Sequence, residues 1–284
     1  MEAITESVKQ RIAEALAEDI GSGDWTSEWC VEPGVKGRGE IVAKAEGIVA
    51  GLTAAGEVYR QLGGAELLPL VGDGDEVTVG MPVARVTGEA RAILTGERTA
   101  LNLLGQLSGV ATLTRHYVTA VDGTGARITD TRKTTPLWRE LERAATRAGG
   151  AVNHRRGLDA MVLIKENHLA CSGGIGQAVE RVRASNAMGL EVEVETTNLQ
   201  EVNAALAAGV DRIMLDNMPV EQVREAVRLI ARHDPRPEVE ASGGVTLANV
   251  RELAEAGVDY ISVGALTHSA PALDLSLILR RVAP

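Results

Sequence analysis

Residues 161–168, Met161-Val162-Leu163-Ile164-Lys165-Glu166-Asn167-His168, join four apolar residues directly to four polar ones. A short apolar run with a sharp boundary is typical of a fully buried strand. The alternative, that residues 165–168 belong to an ordinary solvated surface, does not explain why a buried strand leads directly into them. Charged residues are seldom placed next to a buried core without a partner. We therefore interpret Lys165 as a functional residue that a buried strand places at its end.

Five more short apolar runs, separated by helical patterns, predict a parallel sheet. Strands that alternate with helices along a chain are the signature of βαβ units. The helical patterns include residues 199–208, 219–232 and 247–256. The six predicted strands are Ile128–Thr131, Met161–Ile164, Val192–Glu195, Arg212–Leu215, Val239–Ala241 and Tyr260–Val263. A complete barrel of this kind has eight strands, so six strands predict an incomplete parallel α/β barrel.

The first part of the chain has a different, mixed order of elements. An amphipathic helical pattern covers residues 4–20, strand-like patterns cover residues 39–50 and 76–86, and a long helical region begins at Ala90. We predict an N-terminal α/β sandwich domain over residues 1–109 and the barrel domain over residues 110–284. The last helix of the chain is a candidate to pack back on the N-terminal domain.

Residues whose side chains could take part in binding or catalysis follow nearly every predicted strand. They are Asp130-Thr131-Arg132-Lys133, Lys165, Glu195, Asp216, Ser242-Gly243-Gly244, and Gly264 with His268. In parallel α/β barrels the active site lies at the carboxyl ends of the strands. Six such ends in succession predict one composite site.

The charge distribution indicates a small polyanionic ligand. Residues 127–166 contain nine bases and five acids, a balance of +4, whereas the whole chain carries −10. A cationic island in an acidic protein can focus a small anion, while nucleic-acid binding calls for a broad basic face. Only five of the 29 bases are lysines, and Lys133 and Lys165 lie in this island. The pair Arg132-Lys133 combines a planar guanidinium group, which can form two parallel hydrogen bonds, with the compact positive charge of an ammonium group.

Two further clusters favour a sugar phosphate. Ser242-Gly243-Gly244 can form a phosphate cradle ahead of a helix, and Gly264 and His268 can complete it. A tight turn capped by Thr246 is the structural alternative. Glu195 and Asp216 can accept ribose hydroxyls or hold Mg²⁺, and such a metal would arrive mainly with the substrate.

Composition limits the other classes of function. The chain has no Phe and only 2% aromatic residues, which disfavours a base-stacking nucleic-acid platform. Cys30 and Cys171 have no metal-type spacing, which is typical of a reducing compartment. No leader-like or membrane-spanning apolar stretch stands out. We expect a cytoplasmic protein with neither nucleic-acid nor membrane partners.

Eight sequence motifs, taken together and in order, resemble the quinolinate phosphoribosyltransferases, which are also called carboxylating nicotinate-nucleotide pyrophosphorylases. The similarity covers essentially the whole chain, and the runs Thr131–Thr134 and Ile164–His168 are its most specific parts. The motifs are Glu97-Arg98-Thr99-Ala100-Leu101-Asn102, Thr131-Arg132-Lys133-Thr134, Asn153-His154-Arg155, Leu163-Ile164-Lys165-Glu166-Asn167-His168, Glu193-Val194-Glu195, Met214-Leu215-Asp216-Asn217, Glu240-Ala241-Ser242-Gly243-Gly244 and Ser262-Val263-Gly264-Ala265-Leu266-Thr267-His268.

The resemblance implies a reaction and a role for each site residue. Quinolinate and phosphoribosyl pyrophosphate would give nicotinate mononucleotide, pyrophosphate and CO₂ for NAD biosynthesis, with Mg²⁺ accompanying the donor. The catalytic residues would be Lys165, Glu195 and Asp216. Carboxylates of quinolinate would be held by Arg98, Arg132, His154 and Arg155. Lys133 and Lys165 would contact the pyrophosphate-bearing donor. Glu195 and Asp216 would hold the ribose hydroxyls and the metal. The 5′-phosphate would be surrounded by Ser242, Gly243, Gly244, Gly264 and His268.

Arg98 lies in a helix of the predicted N-terminal domain, apart from the strand ends. The resemblance implies a homodimer, or a larger assembly built from it, in which Arg98 enters the active site of the partner chain.

Three alternatives remain at this stage. A related group linked to molybdenum transport shares the architecture, but we expect it to depart from the Ile164–His168 run. A thiamine-phosphate or indole-glycerol-phosphate type of barrel would use the Ser242 cradle, but it would leave the clamp of Arg132-Lys133 and His154-Arg155 without a purpose. A catalytically silent binding protein on the same scaffold is the third.

Overall fold

A computed structural model describes residues 4–282. Its helices are α1 (Glu6–Ile20), α2 (Trp25–Cys30), α3 (Leu52–Leu62), α4 (Ala90–Ala120), α5 (Arg139–Ala148), α6 (Glu166–Ser172), α7 (Ile175–Ser185), α8 (Leu199–Ala208), α9 (Val220–Ile230), α10 (Val250–Glu255) and α11 (Ala265–His268). Its strands are β1 (Lys36–Ala43), β2 (Gly47–Ile48), β3 (Ala65–Pro69), β4 (Glu76–Val77), β5 (Pro82–Glu89), β6 (Arg127–Thr129), β7 (Val162–Ile164), β8 (Val192–Thr196), β9 (Arg212–Asp216), β10 (Glu238–Ser242), β11 (Tyr260–Ser262) and β12 (Leu275–Arg281).

The chain forms two compact units that interleave along the sequence. The first contains the described residues up to 115 together with 134–150 and 265–282, and the second contains residues 116–133 and 151–264. Segments 134–150 and 265–282 therefore lie in the first unit although they follow residue 109, where we predicted a single boundary. Residues 1–3, 283 and 284 of the predicted domains lie outside the described residues.

The first unit has an antiparallel four-stranded sheet in the order β12-β1-β5-β3 and a two-stranded sheet formed by β2 and β4. Helix α1 buries Val8, Ile12 and Leu16, so the predicted amphipathic helix is confirmed. Its first turn is capped by Thr5, whose hydroxyl accepts from the amide of Val8. These side chains join a core that includes the fully buried ring of Tyr59.

The last helix, α11, belongs to the first unit, and it is followed by β12, the last element of the described residues. The residues Leu275, Leu277 and Leu279 alternate with Ser276, Ile278 and Arg280, and this period of two suits a strand. Strand β12 pairs antiparallel with β1 and covers an edge that would otherwise be open. Leu277 and Leu279 lie against Gly39 and Gly37, at positions where a Cβ atom would leave them too little space.

The second unit contains the predicted parallel sheet, in the order β6-β11-β10-β9-β8-β7. Its first strand in sequence, β6, pairs with its last, β11, so the sheet curls round as a barrel does. Within the described residues, β6 and β7 are the two edge strands of this sheet and do not pair with each other. Only a single bridge from Thr129 to Val152 continues the sheet there. The prediction of an incomplete six-stranded barrel is confirmed.

Strand periodicity places the functional side chains on one face. Successive side chains of a strand point to opposite sides, so residues two apart share a side. Glu193 and Glu195 are so related on β8, and Glu240 and Ser242 on β10. In the register of β9 with β10, Ser242 stands beside Asp216. The carboxyl ends of these strands therefore present neighbouring polar groups.

None of the helices among residues 4–282 combines the length and the apolar character that crossing a lipid bilayer requires.

Candidate active site

Ten of the thirteen predicted site residues line one cleft of about 510 Å³ at the carboxyl ends of the barrel strands. The ten are Arg132, Lys133, His154, Arg155, Lys165, Glu195, Asp216, Ser242, Gly243 and Gly244. The remaining lining residues are Thr131, Leu163, Met214, Asn217, Glu240 and Ser262. The cleft thus combines basic groups with carboxylates and a glycine loop, as the sequence predicted.

A buried carboxylate joins the two basic segments of the cleft. Asp130, at the end of β6, is fully buried. Its Oδ1 atom accepts from the backbone amide of His154 at 2.7 Å, and its Oδ2 atom accepts from the side-chain amide of Asn153 at 2.7 Å. Hydrogen bonds to a buried carboxylate are strong, so Asp130 fixes the segment that precedes Arg155.

Arg155 is held at both ends. Its amide donates to Nδ1 of His154 at 2.7 Å, and its Nη1 donates to the carbonyl of Met161 at 2.9 Å. Burial lowers the pKa of Arg155, and the positive charge of Arg132 lowers that pKa further. A dianion placed between two guanidinium groups would offset their mutual repulsion, which is why such a pair suits a ligand with two carboxylates.

Lys165 ends β7 and begins α6. Its backbone amide donates to Nδ1 of His168 at 2.9 Å, while the amide of His168 donates to the carbonyl of Lys165 at 2.8 Å. This reciprocal arrangement satisfies amides that the first turn of a helix leaves unpaired. The Nζ atom of Lys165 lies 2.5 Å from Oε2 of Glu195. A lysine and a carboxylate from separate strands are thus already paired before any ligand is bound.

Asn217 supports both Asp216 and the glycine loop. Its side-chain amide donates to Oδ2 of Asp216 at 2.7 Å, and its backbone amide donates to the carbonyl of Ser242 at 2.8 Å. Asn217 has a φ of 53°, a conformation that asparagine tolerates better than most residues. Gly243 has a φ of 87°, and a Cβ atom there would lie 2.4 Å from the Asn217 side chain. Glycine is therefore required at position 243.

The helix behind the glycine loop begins later than the sequence predicted. The pattern predicted a helix from residue 247, whereas α10 begins at Val250. Asn249 accounts for the delay, because its side chain accepts from the amide of Thr246 at 2.8 Å and donates to the carbonyl of Gly244 at 3.0 Å. Such local bonds compete with the helix. The glycine loop is therefore followed by a turn and not directly by the first residue of a helix.

Comparison with known proteins identifies the family. The model described as "Quinolinate phosphoribosyl transferase, N-terminal domain" matches residues 24–108, and that of the C-terminal domain matches residues 110–278. The chain belongs to this family. The resemblance that we inferred from the motifs is confirmed.

Curated relatives and solved structures agree with this assignment. A probable carboxylating nicotinate-nucleotide pyrophosphorylase of Synechocystis sp. is 46% identical over 269 residues, which are 94% of this chain and 90% of the relative. The carboxylating nicotinate-nucleotide pyrophosphorylase of Mycobacterium leprae is 42% identical over 278 residues, which are 96% and 98% of the two chains. The structure of the nicotinate-nucleotide pyrophosphorylase from Francisella tularensis has a TM-score of 0.93 at 37% identity and covers 98% of each chain.

Three predicted residues of this quinolinate phosphoribosyl transferase family member are not in the lining of the cleft. Arg98 lies on the exposed side of α4 in the first unit, in line with Asn102 and Gln106 along a surface groove. His268 ends α11, also in the first unit, and its Nδ1 atom lies 2.7 Å from Oγ of Ser269. Gly264 is the last residue of the second unit.

A buried polar cluster at the base of the cleft, which His154 and Glu240 also line, was given no role in the sequence analysis. Glu193 and Glu240 are fully buried, and each has an Oε2 atom close to Nε2 of His154, at 3.2 and 3.5 Å. Arg212 approaches Glu240 at 3.4 Å from the strand between them. Burial raises the pKa of both carboxyl groups to about 7.

A signal for this cluster was present in the sequence. Glu193 and Glu240 stand two residues before Glu195 and Ser242 in apolar strands, so they share the functional face.

Proposed function

We propose that this protein transfers the phosphoribosyl group of phosphoribosyl pyrophosphate to quinolinate, with decarboxylation, to give nicotinate mononucleotide, pyrophosphate and CO₂. Family membership and the names of the relatives support this activity. The observation that carries the proposal is the convergence of paired guanidinium groups, two lysines and two carboxylates in one cleft. Other phosphate-binding barrels have no evident use for the paired guanidinium groups.

The carboxylates of quinolinate are proposed to bind Arg132 and Arg155. Burial and the nearby charge of Arg132 lower the pKa of Arg155, and a dianion between the two guanidinium groups would remove their repulsion. Planar guanidinium groups also match carboxylates in geometry, which lysines do not. His154 belongs to the same group of residues through its bond to the amide of Arg155.

The donor is proposed to lie along the rest of the cleft. Lys133 and Lys165 would contact its pyrophosphate, and Ser242, Gly243 and Gly244 would hold the 5′-phosphate with backbone amides. We retain Gly264 and His268 as proposed contributors to the phosphate site, since they follow the next strand of the barrel.

The chemical step needs no covalent enzyme intermediate. As the bond from ribose C1′ to pyrophosphate breaks, C1′ gains positive charge and the pyridine nitrogen of quinolinate forms the new bond. Glu195 and Asp216 are proposed to stabilise that positive charge, and Lys165 to stabilise the departing pyrophosphate. The pyridinium product accepts the electron pair left when the adjacent carboxylate leaves as CO₂. A proton then replaces the carboxylate.

Glu195 and Asp216 are also the proposed ligands of Mg²⁺. Lys165 already pairs with Oε2 of Glu195, and Asn217 donates to Oδ2 of Asp216, so each group has one oxygen less available. Two such carboxylates suit a metal that brings its other ligands from pyrophosphate and water. We therefore propose a metal carried mainly by the substrate.

We further propose that the enzyme is a homodimer, or a larger assembly built from dimers, that shares its active sites. Arg98 points away from the core of its own unit and lies in a groove with Asn102 and Gln106. An exposed arginine in such a groove is available to a second chain. We also infer that the enzyme works in the cytoplasm, a proposal that its exposed free cysteines support.

The decisive experiment mixes the purified protein with quinolinate, phosphoribosyl pyrophosphate and Mg²⁺, and measures CO₂ together with nicotinate mononucleotide. Equal amounts of both products are expected. Donor binding without either product would indicate that the protein is a phosphate-binding barrel that uses another acceptor substrate. A protein that binds both substrates but releases no product would be a silent relative.

A further inference from the structure

The hydrogen bonds of His154 define which of its ring nitrogens carries the proton. Its Nδ1 atom lies 2.7 Å from the backbone amide of Arg155, which can only donate, so Nδ1 must accept. Burial also lowers the pKa of His154, which favours the neutral ring. A neutral imidazole has one N–H group, and in His154 that group is therefore at Nε2.

The Nε2–H group lies close to two buried carboxyl groups. Its distances to Oε2 of Glu193 and of Glu240 are 3.2 and 3.5 Å. Both glutamates are fully buried, and neither contact has the geometry of a hydrogen bond, so the attraction between Nε2–H and the carboxyl groups is electrostatic. A buried carboxyl group without a partner is costly; Glu193 and Glu240 have the Nε2–H group nearby, and Glu240 also has the guanidinium of Arg212.

The same geometry argues against a metal ion at this cluster. His154, Glu193 and Glu240 could offer three ligand atoms within 4.8 Å of one another. A metal ligand must present a lone pair, however, and Nε2 of His154 carries the proton. The guanidinium of Arg212, 3.4 Å from Glu240, already supplies a positive charge there.

We propose that Glu193 and Glu240 are positioning residues for the substrate clamp. Their carboxyl groups attract the Nε2–H group of the His154 ring, and the ring in turn accepts the backbone amide of Arg155 at Nδ1. Arg155 is the residue proposed above to bind a quinolinate carboxylate, so this inference rests on the proposed function. His154 then acts through Arg155, since its side chain is only 6% exposed and both its nitrogens face protein groups.

The chain of contacts fixes a long side chain before the substrate arrives. Asp130 holds the amide of His154, His154 holds the amide of Arg155, and Met161 holds the guanidinium. Groups placed in advance lose less entropy on binding, and a shift of about 1 Å in a binding group can cost much of its effect. If the proton of His154 moved from Nε2 to Nδ1, an N–H group would face the Arg155 amide and the link would be lost.

Two substitutions at one position test the proposal by steady-state kinetics. Glu240→Leu removes one of the two carboxyl groups close to Nε2–H, and we expect it to raise the KM for quinolinate about tenfold. The KM for phosphoribosyl pyrophosphate should change less than about twofold. Glu240→Gln keeps an acceptor oxygen of the same shape and should restore quinolinate KM to near the wild-type value.

The outcomes separate positioning from a general structural effect. An unchanged quinolinate KM in Glu240→Leu, or an equal rise in KM for both substrates, would overturn the proposal. Thermal unfolding of both variants provides the folding control. Leucine in place of a buried carboxyl group is often tolerated or even stabilising, so the protein should remain folded.

A spectroscopic measurement on the intact enzyme tests the proposal without any turnover. In ¹⁵N-histidine-labelled protein, the signal missing from the His154→Asn variant belongs to His154. We expect a ring protonated at Nε2 in the wild type, and a mixture of ring states in Glu240→Leu. Protonation at Nδ1 in the wild type would exclude the proposed link. If the enzyme failed to convert quinolinate, the proposed function would fall, while this measurement would still decide whether the carboxyl groups hold the ring.

Discussion

At the scale of single residues, position relative to the strand ends decides what a charged side chain does. Glu195 reaches the cleft and pairs with Lys165, while Glu193, two residues earlier, is buried beneath it. The residue type is the same, but the accessible surface and the partners differ. Substitution of a residue in the cleft should therefore weaken the binding of the substrate that this residue contacts. Substitution of a fully buried residue should instead change the orientation of a neighbouring binding residue.

Arg155→Lys should raise the KM for quinolinate at least about thirtyfold, because an ammonium group cannot both reach the Met161 carbonyl and grip a carboxylate with two parallel bonds. The KM for phosphoribosyl pyrophosphate serves as the internal control. A quinolinate KM close to that of the wild type would remove Arg155 from the clamp.

Gly243→Ala should abolish most of the activity or destabilise the loop. Its φ of 87° disfavours any side chain, and a Cβ atom would lie 2.4 Å from the Asn217 side chain, which also orients Asp216. The affinity for phosphoribosyl pyrophosphate, measured by calorimetry, should fall. Gly176→Ala is a matched control, because a Cβ atom in that helix meets nothing within 4 Å. Normal donor affinity in the Gly243 variant would contradict the tight-loop assignment.

At the scale of elements, the hydrophobic pattern predicted the barrel strands best. All six lie within two residues of their predicted bounds, because a short apolar run next to Gly, Asp or Lys leaves few other choices. The errors arose where a side chain competed with the pattern. The side chain of Asn249 shifts the start of α10 to a later residue. The alternating leucines of residues 275–281 form a strand because the edge of β1 is there to pair with them.

The start of α6 carries a prediction of its own. His168→Ala removes the acceptor for the Lys165 amide and should lower kcat, since Lys165 would no longer be fixed where the helix begins. His168→Gln should retain more activity, because glutamine at this helix position can accept the same amide proton. The ratio of kcat in the two variants is the measurement. Equal losses would show that the ring acts in another way.

At the scale of the whole molecule, curling of the parallel sheet brings distant residues together. Arg132, Lys165, Glu195, Asp216 and Ser242 come from successive strands and meet because parallel strands share one carboxyl edge. The same curling buries Glu193 and Glu240 side by side. Stability and activity therefore depend on groups that are far apart in the sequence.

The raised pKa of Glu240, about 7 compared with a usual 4.5, predicts how stability depends on pH. The folded protein keeps this proton where the unfolded chain has lost it, so the contribution is present below pH 4.5 and is lost as the pH rises to 7. Glu240→Gln cannot ionise and should reduce the stability difference between pH 5 and pH 8 by on the order of 2 kcal/mol. Urea unfolding at both pH values measures this. A difference as large as in the wild type would mean that Glu240 is ionised throughout.

Sharing of the site between chains can be tested by mixing two inactive variants. Arg98→Ala and Lys165→Ala should each be inactive alone, whereas chains unfolded and refolded together should recover up to about a quarter of wild-type activity through mixed dimers. Such dimers would have one intact site that combines Arg98 of one chain with Lys165 of the other. No recovery from a mixture that sedimentation shows to be dimeric would place Arg98 outside the shared site.

The sequence alone determined the strand order along the chain and the basic island, because strand ends and charge are local properties, and its resemblance to a family added the remaining residues among the ten of the cleft. The tertiary structure decided the pairing of Lys165 with Glu195, the hydrogen bond from the Arg155 amide to His154, and the burial of Glu193 and Glu240. It also decided the interleaving of the two units, in which β12 completes the sheet of β1. These features depend on which distant groups share a small volume, and neither periodicity nor residue type specifies that.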